Sequence, residues 1–500
     1  MRMTRNDVAD VPRKVYGNLS KRKNIRKVTT NFYIFALGCL LLQGTIMSVS
    51  SLQSSINIKK NIGTKTLGTS KLTSTLAGLF CTPLIIRKIG YKWSLVLGET
   101  AAILYVAGNF YPAPYIMIPV GILEGIGSSL VWTTMPIYNI VFGQMHGLYG
   151  SKESDDYERK YTGQFFAILR SGRIFTSILS YAILYSTRSD IENTTTNSTV
   201  GLFNGTTMMN NYEHCGANDC QNPNVTKKFL NNYVPPNPIS VYSLMGAFIL
   251  VALCAIGLHA KFLVNSEIKN VIKPTKIGGS EDVSIDKTTK KIDVSVLATL
   301  KATMKHTISL KQILLFPMLL HYGLFLAFVY SEMNRAFSSC ILGVEMVGPV
   351  LVLYDVFHIG ASLLIGKIIG FFGKNATVAT IATLTLANYL LCEFWKPTTS
   401  TTFLVYFLSV GFGVTDALWK NSTVAIVAQY FPENREISFS VRNVCITIGI
   451  TIGYFWSPFL CVGSKIYIHI ALLVISVLTY GVAEFHLYRK NDTPTIGRQK

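Results

Sequence analysis

About twelve long apolar stretches run through this 500-residue chain from about residue 31 to residue 487, six on each side of a lysine-rich hinge. Each approaches the roughly 20 residues that a helix needs to cross a bilayer. Lipid offers the backbone no hydrogen-bond partners, so segments of this kind can only become helices packed side by side. The fold class expected is therefore an all-α membrane protein of about twelve transmembrane helices in two six-helix halves. The spans read near 31–53, 67–86, 93–110, 115–137, 165–187, 239–262, 313–333, 343–370, 376–395, 402–430, 437–461 and 465–487. Only 14% of the residues are charged, against about 25% in soluble domains.

The charges that remain sit mostly outside these stretches. The formal net charge is +20. It comes from a basic N-terminal tail (Arg2, Arg5, Arg13, Lys14, Lys21, Arg22, Lys23, Arg26, Lys27) and a central loop (Lys269, Lys273, Lys276, Lys287, Lys290, Lys291, Lys301, Lys305). Basic flanks resist translocation, which places both termini in the cytoplasm and makes anionic inner-leaflet lipid, not nucleic acid, the expected partner of these segments. The domains that follow are a tail at 1–30, a first half at 31–262 with an extracellular loop at 188–238, a cytoplasmic loop at 263–312, a second half at 313–487 and a tail at 488–500. In the central loop Val296, Leu300 and Met304 recur four apart. That spacing suits either an amphipathic helix on the inner leaflet or a helical lead-in to the seventh span.

The loop 188–238 carries four N-glycosylation acceptors, at Asn193, Asn197, Asn204 and Asn224. It also holds Cys215 and Cys220 as CGANDC, a spacing that can close a small disulfide in an oxidising compartment. No metal site is expected, because His214 alone does not complete a zinc shell. The other cysteines, Cys340 and Cys461 among them, read as buried apolar residues.

Several charges fall inside the spans: Glu99, Glu124, Arg170, Arg173, His321, Asp355, His358 and Asp416. A charge at mid-bilayer costs about 2.5–3.5 kcal/mol on insertion scales unless paired or wet, so each marks a candidate functional position. Arg170 and Arg173 are three apart and share one helix face, as do Asp355 and His358. One of the arginines is expected to pair with an intramembrane carboxylate, Glu124 or Asp416 being the leading partners. Gly121, Gly125, Gly127, Gly411 and Gly413 are expected where helices approach closely. Catalytic residues and cofactors are not expected: the sequence has no Walker loop, HExxH helix or GxSxG turn.

Two turns on the inner face repeat. Arg87, Gly90 and Lys92 follow the second span, and Gly366, Gly370, Gly373 and Lys374 follow the eighth. Both resemble the inner-gate turn of the major facilitator superfamily, whose halves are parallel repeats around a midplane cavity. The acid of that motif falls on Arg87 in the first half and on Gly370 in the second. Further strings, in order, are LQSSIN at 52–57, Leu67-Gly68, Pro83, Trp93, CGANDC at 215–220, SCILG at 339–343, Val347-Gly348, GVTDALW at 413–419 and Phe431-Pro432. Together they resemble the Unc-93 family, a branch of that superfamily, and especially its homolog-A-like members. The stretch WTTMPIY at 132–138 departs from the family's tendency to place a glycine before the tyrosine. The resemblance implies a transporter-shaped accessory protein that regulates or escorts a potassium channel or receptor, in the plasma or an endolysosomal membrane. The alternative is a secondary active transporter of a small solute or ion.

Overall fold

The computed structural model describes residues 5–58, 61–149, 154–198, 212–221, 238–263, 308–431 and 435–491. Almost all of them are helical, as a chain that must satisfy its backbone internally requires. In chain order the helices are α1 (Arg5–Ile56), α2 (Ile62–Phe80), α3 (Thr82–Gly108), α4 (Pro114–Tyr149), α5 (Ser154–Ser198), α6 (Pro238–Phe262), α7 (Leu310–Ala327), α8 (Val347–Phe372), α9 (Lys374–Phe394), α10 (Leu404–Tyr430), α11 (Arg435–Trp456) and α12 (Val462–Asn491). A π-helical segment, Phe328–Ser339, carries α7 onward to Leu342.

Among the described residues, eight helical segments are long and apolar enough to cross a membrane, which makes this a multi-pass integral membrane protein. The helices α2, α3, α10 and α11 do not reach that mark. They carry buried polar residues such as Thr66, Ser70, Glu99, Thr415, Asp416 and Arg442, which lower their hydropathy without exposing charge to lipid.

Helix ends differ from the expected spans. The first helix begins at Arg5, and α5 continues to Ser198, so Asn193 and Asn197 lie on its helical extension. Asn204, Asn224 and residues 264–307, with the Val296–Leu300–Met304 stripe, lie outside the described residues.

The two repeated turns have the same backbone. Gly90 has φ 81° and ψ 170°, and Gly373 has φ 81° and ψ 162°. That region is essentially restricted to glycine. The chain therefore turns at Gly90, within α3, and the short break at Cys81 leaves the backbone helical. Each half thus turns on one glycine at a matching place.

The two largest packed cores among the described residues lie one in each half. Phe32, Phe35, Phe142 and Phe165 anchor the first; Phe328, Tyr389, Phe412 and Trp419 anchor the second. Between them α5 packs on α8, α2 on α11, and α1 on the π-helical segment. A Cβ on Gly348 would meet the Ser177 carbonyl at 2.4 Å, so the α5–α8 seam closes only over hydrogen. The glycines expected at close approaches sit at them: a Cβ on Gly125 would lie 2.5 Å from the Ser70 carbonyl, and one on Gly413 2.4 Å from that of Tyr354. Outward faces carry residues such as Leu253, Leu363 and Leu478, exposed here and suited to lipid.

Candidate functional site

Arg170 and Arg173 project from one face of α5 across the seam, where α8 supplies Asp355 and His358 and α10 supplies Asp416. Arg173 grips Asp355 with both Nε and Nη2. Its guanidinium lies 5.2 Å from the ring centres of both Tyr330 and Tyr354, within cation–π range. Arg170 bridges the two acids, with Nε 3.3 Å from Asp355 Oδ1 and Nη2 3.2 Å from Asp416 Oδ2. Asp416 also accepts from Tyr322 Oη at 2.8 Å and from Tyr354 Oη at 2.7 Å, and His358 Nε2 stands 3.2 Å from it.

The charges balance, two guanidinium groups against two carboxylates. All four residues are buried, except that 15% of the Arg170 side chain remains exposed. A buried charge is tolerated when it is paired and hydrogen-bonded, and this network meets that condition by joining the halves.

The structure brings the expected residues together only in part. Arg170 does pair with Asp416, but Arg173 takes Asp355, which was not among the leading partners. Glu124 meets neither arginine and accepts from Ser70 Oγ. The reason is position: Gly125 brings α4 against α2 at Ser70, away from the α5–α8 seam. Glu99 is also elsewhere, bonded to His259 inside the first half. His321 is fully buried, packs on Trp419 at 5.6 Å between ring centres, and has no hydrogen-bond partner on either nitrogen among the described residues. At the repeated turns Gly90 and Gly373 set the geometry. Lys92 places its ammonium 5.7 Å from the Trp93 ring centre. Gly366 and Gly370 lie within α8, and the side chains of Arg87 and Lys374 are outside the described residues.

The cysteine pairing is a correction. Cys215 bonds to Cys340 and Cys220 to Cys461, rather than to each other. The short 3-10 turn at Gly216–Asn218 leaves the two cysteines facing different helices. Cys340 and Cys461 are accordingly covalent anchors, not apolar filler. The segment 212–221 thus forms a cap over one end of the second half.

Under this cap lies a second charge cluster that the sequence reading missed. Arg335 binds Asp219 at 2.5 Å and Glu332 at 2.7 Å, and Lys465 binds Glu332 at 2.9 Å. Ser457 also donates to Glu332, at 2.5 Å, and Gln221 donates to the Ser457 carbonyl at 2.7 Å. Glu332, Arg335 and Lys465 stand at the edges of the expected spans, where charge attracts no notice. The π-helical segment is what turns Ser331, Glu332, Asn334 and Arg335 inward, and such segments often mark functional sites. The same segment meets α1: Ser54 donates to the Ser331 carbonyl at 3.1 Å, Asn334 to the Ser51 carbonyl at 3.2 Å, and Ser55 pairs with Ser339 at 2.7 Å.

A multi-helix bundle whose halves meet over a buried charge network has the build of a transporter of the major facilitator type. A nucleoside transporter of known structure matches it with a TM-score of 0.55 over 91% of this chain and 98% of its own, at 12% identity, a likeness of fold alone. The family described as ion channel regulatory protein UNC-93 matches residues 55–485, and the chain belongs to that family. Protein unc-93 homolog A of Xenopus laevis is 27% identical over 94% of this chain and 96% of its own length. The putative potassium channel regulatory protein unc-93 of Caenorhabditis elegans is 22% identical over 86% of this chain and 57% of its own.

Proposed function

We propose that this protein is a regulatory subunit for another membrane protein, a potassium channel or a receptor, on a transporter scaffold. The observation that carries the reading is the seam network, taken with family membership. Arg170, Arg173, Asp355 and Asp416 spend their charges on one another, where a charge-coupled transporter needs some free for its solute. A helix bundle closed on itself in this way still offers its lipid-facing helices to a partner in the bilayer. The repeated turns keep their glycines and lack the acid of the inner-gate motif, which also favours regulation over alternating access.

In this reading all of α1 to α12 cross the bilayer, and the segment between α5 and α6 faces outward with both termini inside. Two features support this orientation: disulfides persist on the oxidising side, and the basic tail and turns favour the cytoplasmic side. The membrane is the plasma membrane or an endolysosomal one.

Co-expression with a potassium channel, reading current amplitude and surface abundance, tests the proposal together with uptake in proteoliposomes. Altered channel current without solute uptake is the expected result. Saturable, gradient-coupled uptake that Asp416→Asn abolishes would establish the transporter alternative instead.

A further inference from the structure

A further titratable centre lies inside the first half, away from both the seam and the cap. His259 of α6 directs Nδ1 at Glu99 Oε1 of α3, and its Nε2 lies 3.0 Å from the Phe35 carbonyl oxygen of α1. Both His259 and Glu99 are fully buried. Room for the ring comes from Gly38, since a Cβ there would sit 2.3 Å from His259 Nε2.

Hydrogen-bond accounting fixes the proton content of this pair. A carbonyl oxygen only accepts, so the nitrogen facing it must carry hydrogen. An imidazole whose Nε2 is protonated can bond a carboxyl group through Nδ1 only if one further proton lies between them, on the nitrogen or on the carboxyl. Without that proton a nitrogen lone pair would face a carboxylate in a dry interior, where such repulsion is strong.

We propose that Glu99 and His259 form a proton-binding site that holds α3, α6 and α1 together. The groups around it are few. Cys39 of α1 has its sulfur 4.0 Å from Nε2. Tyr138 of α4 lies against Phe35, 5.1 Å between ring centres, and is an electrostatic neighbour of both Cys39 and Glu99. From α5 the same core receives Phe165 and Leu169, which are apolar, and Tyr161, whose hydroxyl is paired with Thr29 Oγ1 at 3.2 Å and His146 Nδ1 at 2.7 Å. Among the described residues no cationic side chain is one of these neighbours, so the proton is what balances the Glu99 charge. Glu99 Oε2 and the Tyr138 hydroxyl are buried without hydrogen-bond partners among the described residues.

The site is tested by nitrogen-15 resonance of histidine-labelled protein in nanodiscs at neutral pH, with His259→Gln assigning the signal, and by the carboxyl stretch in the infrared. The expected result is hydrogen on Nε2 together with one more proton, seen either on Nδ1 or as a protonated carboxyl that Glu99→Gln removes. A bare Nε2, or a bare Nδ1 beside an ionised carboxylate, overturns the proposal. A second arm reads thermal stability as pH is raised. Wild-type stability should fall as the pair loses its proton at alkaline pH, and the Glu99→Gln amide, which donates to Nδ1 as a protonated carboxyl would, should remove that fall. Parallel decline of the two would also overturn it.

Discussion

Removing one partner from the seam network should be far more damaging than removing two. Asp355 is fully buried, bonded to Arg173 through two nitrogens and to Arg170 at 3.3 Å. In Asp355→Asn two guanidinium groups share one remaining carboxylate, Asp416, and Arg173 keeps only its contacts with the Tyr330 and Tyr354 rings. Breaking a buried pair from one side costs about 3–5 kcal/mol, whereas replacing both partners with apolar side chains of similar size is often neutral. The double variant Arg173→Leu with Asp355→Leu leaves Arg170 facing Asp416 at 3.2 Å and should recover at least half of the single-variant loss. Melting temperature in detergent micelles, monitored by size-exclusion fluorescence for wild type, Arg173→Leu, Asp355→Leu and the double, gives the coupling directly. If the single variants melt within a degree or so of wild type, or if their losses simply add, the two halves are not held by this pair.

Three further outcomes follow from the geometry. Cys220→Ser should expose Cys461 to a thiol reagent while Cys340 stays protected; protection of both would mean a different pairing. Gly90→Ala and Gly373→Ala each force a side chain into a backbone region reserved for glycine and should cost about 1–3 kcal/mol. Equal expression and melting to wild type would show that the turns relax freely. Glycosidase treatment should shift the mobility of the protein, and the combined Asn193→Gln, Asn197→Gln, Asn204→Gln and Asn224→Gln variant should not shift; a shift surviving in that variant would place the sugar elsewhere.

What the sequence revealed, and what it hid, divides by range. Apolar runs, basic flanks and the two glycine turns are local signals, and they led to an all-helical membrane fold and to the matching backbones of Gly90 and Gly373. The three-residue spacing of Arg170 and Arg173 likewise told that both would face one way. Partners are another matter. Arg173 meets Asp355 across 182 positions, and Glu99 meets His259 across 160; no periodicity encodes which helices become neighbours. Glu124 illustrates the point, since its helix packs on α2 and delivers it to Ser70. Glu332, Arg335 and Lys465 escaped notice because charge at a span's edge looks solvated, and only the wound-out π-helical turn and the cap above it bury them.

The two bridges of the cap join positions 125 and 241 residues apart, and this carries a consequence for biosynthesis. Cys215 and Cys220 are made with the first half, long before either partner exists. Until α7 and α12 have been inserted, Cys215 and Cys220 lack the partners they hold in the folded protein. Closure of Cys220 onto Cys461 therefore reports that almost the whole chain has been threaded and docked. An assembly line that inspects free thiols would hold back any copy whose second half had failed to arrive.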